Sequence, residues 1–172
     1  MPDADRELDW PDGAVYRIKQ STEDSGGKSL TIEWDSPPGA WAPPPHFHPN
    51  QTERYEVLDG SLDVKLGGEW RTLAAGESLT VESGTVHTFR LTRAARVRNT
   101  HTPALDFEGQ IRCLQRTFKA RDLGAGNGPR AMLYLSLALE EYPDSVKPAS
   151  AGARAAVRVM ARLARLLGLK TA

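Results

Sequence analysis

Three of the four histidines in this chain fall where one metal ion could be held. His46 and His48 are separated by a single residue, Glu53 follows five positions later, and His87 stands in a second segment. On an extended backbone an H-x-H pair projects both imidazoles to the same side, because strand side chains repeat every two residues. A carboxylate nearby and a third imidazole from another strand complete a mixed nitrogen and oxygen set. That set suits a first-row divalent metal (Fe, Mn, Ni, Zn, Co or Cu) better than calcium or magnesium. Three neutral imidazoles and one carboxylate leave one or two positions open for water, oxygen or substrate, as a reactive or ligand-capturing centre requires and a purely structural one does not. Glu53 is either the fourth ligand or, when released, a general base. The competing reading is three histidines hydrogen-bonded in a core without metal.

These residues need strands to carry them. Between about residues 14 and 107 short apolar runs alternate with turn residues and no helical period intervenes, which predicts an all-β sandwich or closed barrel. Candidate strands are 15–18, 30–34, 46–47, 55–58, 61–66, 79–81, 86–91 and 95–100. In the second of these Leu30, Ile32 and Trp34 alternate with Thr31 and Glu33. Asp59-Gly60-Ser61, Gly67-Gly68, Ala75-Gly76-Glu77 and Ser83-Gly84-Thr85 read as the turns between them. Beyond residue 109 the period becomes helical. Ile111, Leu114 and Phe118 share a face, with Gly124 as the expected stop, and a loop at 124–130 leads to Pro129, which can open the next helix. That helix, about 130–142, is apolar nearly all round and must be buried. Residues 143–152 read as a linker, and a last helix spans 153–169. This divides the chain into a β-barrel domain, 1–109, and a helical extension of about three helices, 110–172.

Composition narrows the partners. Twenty-two basic and 22 acidic residues cancel, so no global field favours nucleic acid. The first 109 residues hold 18 acidic against 11 basic side chains, and the remainder 4 against 11, so the two parts attract each other within a chain or between subunits. Cys113 is the only cysteine, which excludes an internal disulfide and suits a reducing compartment. The acidic start is unlike a secretory signal, and no apolar run is long enough to cross a bilayer. The expectation is therefore a cytoplasmic protein. The last helix sets Arg154, Arg158, Arg162 and Arg165 against Val157, Met160, Ala164 and Leu167. Packing on the protein with solvated arginines is preferred to peripheral membrane contact, because that apolar face is small and holds no aromatic.

Read in full, the first ligand segment is Gly39-AWAPPP-His46-F-His48-PNQT-Glu53-RYEVLD-Gly60, and the second is Gly76-ESLTV-Glu82-S-Gly84-TV-His87. Together they resemble the two conserved motifs of the cupin superfamily, G-x5-H-x-H-x3,4-E-x6-G and G-x5-P-x-G-x2-H-x3-N, over roughly residues 30–105. Three departures stand out: six residues instead of five lie between Gly39 and His46, Glu82 replaces the proline, and Leu91 stands at the asparagine. The resemblance, to small single-domain bacterial cupins, implies an antiparallel jelly-roll barrel. It also implies a metal held by His46, His48, Glu53 and His87, and a homodimer. Strand parity then proposes the walls of a substrate pocket. Phe89 and Leu91 share a face with His87, Tyr55 and Val57 share one with Glu53, and Trp34 and Trp41 are placed over the mouth. Asn99 and His101 share a parity that would give a polar edge, although a surface position is preferred for His101. The functional expectation is a metal-dependent enzyme acting on a small apolar or aromatic molecule, dioxygenase chemistry first and cyclase or isomerase chemistry next. A non-catalytic binding or sensing module is the alternative.

Overall fold

The computed structural model describes residues 6–124 and 126–172. The first five residues, and Ala125 of the expected 124–130 loop, lie outside them. The chain runs through strands β1 (Glu7–Asp9), β2 (Val15–Gln20), β3 (Leu30–Ser36), β4 (His46–Phe47), β5 (Thr52–Leu66), β6 (Glu69–Ala74), β7 (Ser78–Val81), β8 (His87–Arg90) and β9 (Ala95–Thr102). Helices α1 (Phe107–Ala120) and α2 (Pro129–Glu141), a short β10 (Lys147–Pro148) and helix α3 (Ala151–Leu166) complete it. All strand pairs are antiparallel. They form one sheet in the order β1-β2-β3-β9-β5-β7 and another in the order β6-β5-β8-β4-β10, so β5 belongs to both. This is the jelly-roll arrangement followed by three helices. The inward side chains of the two sheets, among them Ile32, Trp34, Val57, Leu62, Val64 and Val97, make one core. Strand β3 keeps the alternation read from its sequence, with Leu30, Ile32, Trp34 and Ser36 buried and the residues between them less so.

The double membership of β5 corrects an expectation. Asp59-Gly60-Ser61 does not reverse the chain between two strands; it bends a single 15-residue strand from one sheet into the other. The register against β9 slips between Val57 and Asp59, marking a bulge, and Gly60 takes φ +73°. A Cβ at Gly60 would sit 2.0 Å from the Ala94 carbonyl oxygen, so only glycine fits the corner. Strand β6, absent from the sequence expectation, was hidden because its exposed Trp70 and charged residues mask the alternation.

The helices cover one end of the barrel. Helix α1 starts at Phe107, three residues earlier than expected, and ends near Arg121 rather than at Gly124. Pro129 occupies the first turn of α2 as anticipated. Leu114 and Phe118 of α1 pack on Ala131, Leu135 and Ala138 of α2, and Tyr134 and Leu137 of α2 pack on Ala161 and Ala164 of α3. Two further expectations fail here. Residues 143–152 are not a free linker, since β10 pairs with β4. The face of α3 toward the protein is narrower than read: Leu167 is exposed, and Val159, Leu163 and Leu166 also face outward. On the opposite face Arg154 is half-buried and donates to the carbonyls of Pro148 and Ala149. Among the described residues no helix is long and apolar enough to cross a membrane.

Candidate metal centre

Strand pairing, not proximity in sequence, assembles the four candidate ligands. His46 on β4 lies directly across from His87 on β8, and Leu66 of β5 is opposite His87 on the other side. His48 follows two residues after His46, and Glu53 enters from the other end of β5. One ligand atom from each of His46, His48, Glu53 and His87 falls within 4.8 Å of the others, and all four residues are buried. His87 Nε2 lies 2.7 Å and His48 Nε2 lies 3.3 Å from Glu53 Oε2.

The ring tautomers are fixed from behind. His46 Nδ1 donates to the Pro44 carbonyl at 2.9 Å, His87 Nδ1 to the Thr85 carbonyl at 2.9 Å, and His48 Nδ1 to the Ser145 carbonyl at 2.6 Å. With the proton committed to Nδ1, each Nε2 presents a lone pair to the centre, the arrangement by which backbone carbonyls orient metal-binding imidazoles. His48 Nε2, His87 Nε2 and Glu53 Oε2 have no hydrogen-bond partner among the described residues although they are buried. Buried polar atoms without partners are costly, and three converging on one point fit a cation.

The carboxylate is held by a chain that the sequence did not foretell in this form. Asn99 Nδ2 donates to Glu53 Oε1 at 3.0 Å, and His101 Nε2 donates to Asn99 Oδ1 at 2.7 Å. The pairing of β5 with β9 makes this possible, since Glu53 is opposite His101 and Tyr55 opposite Asn99. His101 is therefore not at the surface. It is fully buried, with Phe107 of α1 against its ring at 3.9 Å between centroids. One oxygen of Glu53 is occupied by Asn99, which leaves the other for the centre.

Burial and charge set the protonation states. Burial, reinforced by His87, pushes His46 down to about 3; burial also pushes His101 down to about 3, against the attraction of Glu53. Burial raises the Glu53 carboxyl, but the surrounding imidazoles outweigh it and hold the group well below the usual carboxylate range. For His87 burial lowers the pKa, yet the adjacent Glu53 carboxylate and the Thr85 carbonyl prevail and the net shift is upward.

The centre opens into an elongated cavity of about 140 Å³. Of the expected pocket residues, Trp34, Tyr55, Phe89 and Asn99 line it, as does Trp41; Leu91 and His101 do not. Leu91 is packed in the core, and Trp34 is a buried wall stacked on Phe89 at 5.2 Å rather than a cover at the mouth. Burial, and then the charge of Glu53, raise the Tyr55 hydroxyl well above its ordinary value, so it stays protonated. The cavity continues beyond the barrel to Gln110 and Leu114 of α1 and to Leu135 of α2. The sequence assigned no site role to these helices; their apolar period carried no sign of it. Cys113 is a buried thiol, its pKa raised first by burial.

With this geometry in place, the comparison with known families is direct. Residues 32–101 match the family described as the cupin domain. Over that segment, about two-fifths of the chain, the protein resembles the cupin family. The four candidate ligands lie on the matched segment, while α1, α2 and α3 lie beyond it. Two curated relatives are both called probable oxidoreductase patJ. The one from Penicillium expansum is 32% identical over 87 residues, and the one from Aspergillus clavatus 38% identical over 87 residues. Each match covers 48% of this chain and 27% of the relative, so the chain spans about a quarter of the length of the curated relatives it matches. Among solved structures, KdgF from Halomonas sp. superposes with a TM-score of 0.51 at 22% identity, over 63% of this chain and 96% of that one, a likeness of fold alone.

Proposed function

We propose that this protein is a metal-dependent enzyme acting on a small apolar or aromatic molecule bound inside the barrel. The observation that carries the reading is the convergence of three Nε2 atoms, each fixed by a backbone carbonyl behind it, on one free carboxylate oxygen at the wall of an apolar cavity. His46, His48, Glu53 and His87 would hold the ion. A divalent first-row metal supplies Lewis acidity there, or electron exchange with oxygen if it is redox-active. Everything else falls to the protein. Trp34 and Phe89 exclude water and orient a planar substrate, Tyr55 donates a hydrogen bond from a hydroxyl that burial keeps neutral, and Glu53 takes up a proton if it leaves the ion. Oxygen-dependent chemistry of the dioxygenase type ranks first, and the naming of the fungal relatives as oxidoreductases agrees with it. Cyclase or isomerase chemistry, which needs only the Lewis acid, ranks second. The alternative from another class is a binding module that captures a metabolite without turnover. A homodimer belongs to the same reading, and sedimentation of the purified chain tests it.

The deciding experiment is elemental analysis of protein purified without added metal, followed by oxygen uptake against a panel of phenolic compounds. His48→Ala should lose at least tenfold in bound metal and abolish turnover. A binder that uses the cavity alone would keep its affinity for the same compounds in that variant. Stoichiometric zinc with no oxygen uptake would remove the dioxygenase reading and leave the cyclase or isomerase one.

A further inference from the structure

The side of the cavity formed by α1 and the β1–β2 turn holds polar groups that none of the described residues satisfies. Gln110 is 2% exposed, and its Oε1 has no hydrogen-bond partner among the described residues. Gln51 Oε1 is also without a partner, but Gln51 donates to the carbonyls of Pro103 and Ala104 and does not line the cavity, whereas Gln110 does. Trp10 Nε1 is likewise buried without a partner. Both Gln110 and Trp10 line the cavity that His46, His48 and Glu53 also line. An acceptor and a donor left bare against an apolar wall destabilise the protein unless a ligand meets them.

Gln110 sits on the helix that contacts the centre. Phe107 touches both His101 and His48, with ring centroids at 3.9 and 5.4 Å. Gln110 follows on the same helical face three residues later, about 5 Å further along α1. The cavity volume of about 140 Å³ is close to the roughly 150 Å³ that accommodates benzene in an engineered apolar site. Apart from the imidazoles and Glu53 of the centre, no acidic or basic side chain lines the cavity among the described residues.

We infer that Gln110 and Trp10 form a hydroxyl-recognising subsite for a neutral aromatic or enolic ligand, whose O–H donates to Gln110 Oε1 while an oxygen of the ligand accepts from Trp10 Nε1. The inference deepens the proposed function by naming the ligand class of that cavity, yet it needs no metal to be tested. The probes are 4-fluorophenol and 4-fluorotoluene, which differ by a hydroxyl in place of a methyl group. Their binding to the full chain is titrated by fluorine NMR, in chelator-treated and as-purified protein. The expected result is a preference of roughly tenfold for the phenol in both preparations, the discrimination one buried hydrogen bond supplies. In Gln110→Leu, folded by near-UV circular dichroism, the two probes should bind within about twofold of each other. Trp10→Phe should weaken the preference in the same direction, which keeps the test decisive if the leucine variant does not fold.

Equal binding of the two probes by the unaltered chain, or an undiminished preference in either folded variant, would overturn the subsite. Metal content and oxygen uptake of the same samples keep the two readings separable. A metal-free protein that prefers the phenol through Gln110 retains the subsite and loses the enzyme, and an active metalloprotein without the preference does the reverse.

Discussion

Replacing Asn99 by leucine removes the side chain that is hydrogen-bonded to both Glu53 and His101. Asn99 donates to Glu53 Oε1 at 3.0 Å and accepts from His101 Nε2 at 2.7 Å, and all three side chains are buried. Loss of a hydrogen bond to a charged carboxylate costs about 1.5–3 kcal/mol, and leaving a buried imidazole N–H bare costs about 1–3 kcal/mol. His101 would then have neither ring nitrogen bonded, since Nδ1 already lacks a partner. Leucine recovers about 1 kcal/mol by apolar burial. The net expectation is a loss of about 3 kcal/mol, a large share of the roughly 5–15 kcal/mol typical of a domain. Urea unfolding of the metal-free protein at neutral pH reads this as a midpoint lowered by roughly 1.5 M, for a slope of about 2 kcal/mol per M. A double-mutant cycle with His101→Phe should return a coupling above about 1 kcal/mol. A midpoint lowered by less than about 0.5 M, or additive effects in the cycle, would refute the claim that this chain holds the carboxylate.

Other perturbations follow from the same geometry. Gly60→Ala forces a Cβ to within 2.0 Å of the Ala94 carbonyl oxygen at φ +73° and should cost at least about 3 kcal/mol, whereas Gly68→Ala, with open space and φ +94°, should cost about 1–2 kcal/mol. Denaturant midpoints compare the two, and equal costs would show the corner to be pliable. Acidification should destabilise the metal-free protein. His46 and His101, both held near 3 by burial, refuse protons that the unfolded chain accepts below about 6.5. The sign is therefore stability lost as pH falls, approaching about 1.4 kcal/mol per pH unit for each histidine. His87, shifted upward, contributes in the opposite sense and only above about 6.5. Unfolding midpoints that are flat between pH 6.5 and 5 would exclude two neutral buried histidines. Finally, deletion from Ala151 should leave metal content unchanged, but deletion from Pro143, which removes the Ser145 carbonyl behind His48, should lower metal affinity roughly 10- to 100-fold. Elemental analysis of both truncations checks this.

Some of these features are legible in the residues alone. The spacing of His46, His48 and Glu53 with the separate His87 names the cluster, and the alternation in β3 places Leu30, Ile32 and Trp34 inward. Pro129 opens α2 because its fixed φ and missing N–H suit a first helical turn. Even the orientation of two ligands is local: His46 and His87 each donate to a carbonyl only two residues back. Such short-range relations follow from covalent geometry, which a sequence carries in full.

What the tertiary structure decided depends on registers between distant strands and on surfaces meeting. Nothing in Asp59-Gly60-Ser61 separates a reversal from a bend, because glycine permits both; the Ala94 carbonyl pressed against Gly60 selects the bend. His48 is fixed by Ser145, 97 residues away, in a stretch whose polar composition reads as a linker. The pairing of Glu53 with His101 across β5 and β9 turns a histidine expected at the surface into a buried support for the carboxylate. The helices reach the cavity only through their packing on the barrel's end. The residue types alone thus determined which chemistry is available, while the fold decided which oxygen and which ring nitrogens face it, since orientation at a buried centre is set by partners far along the chain.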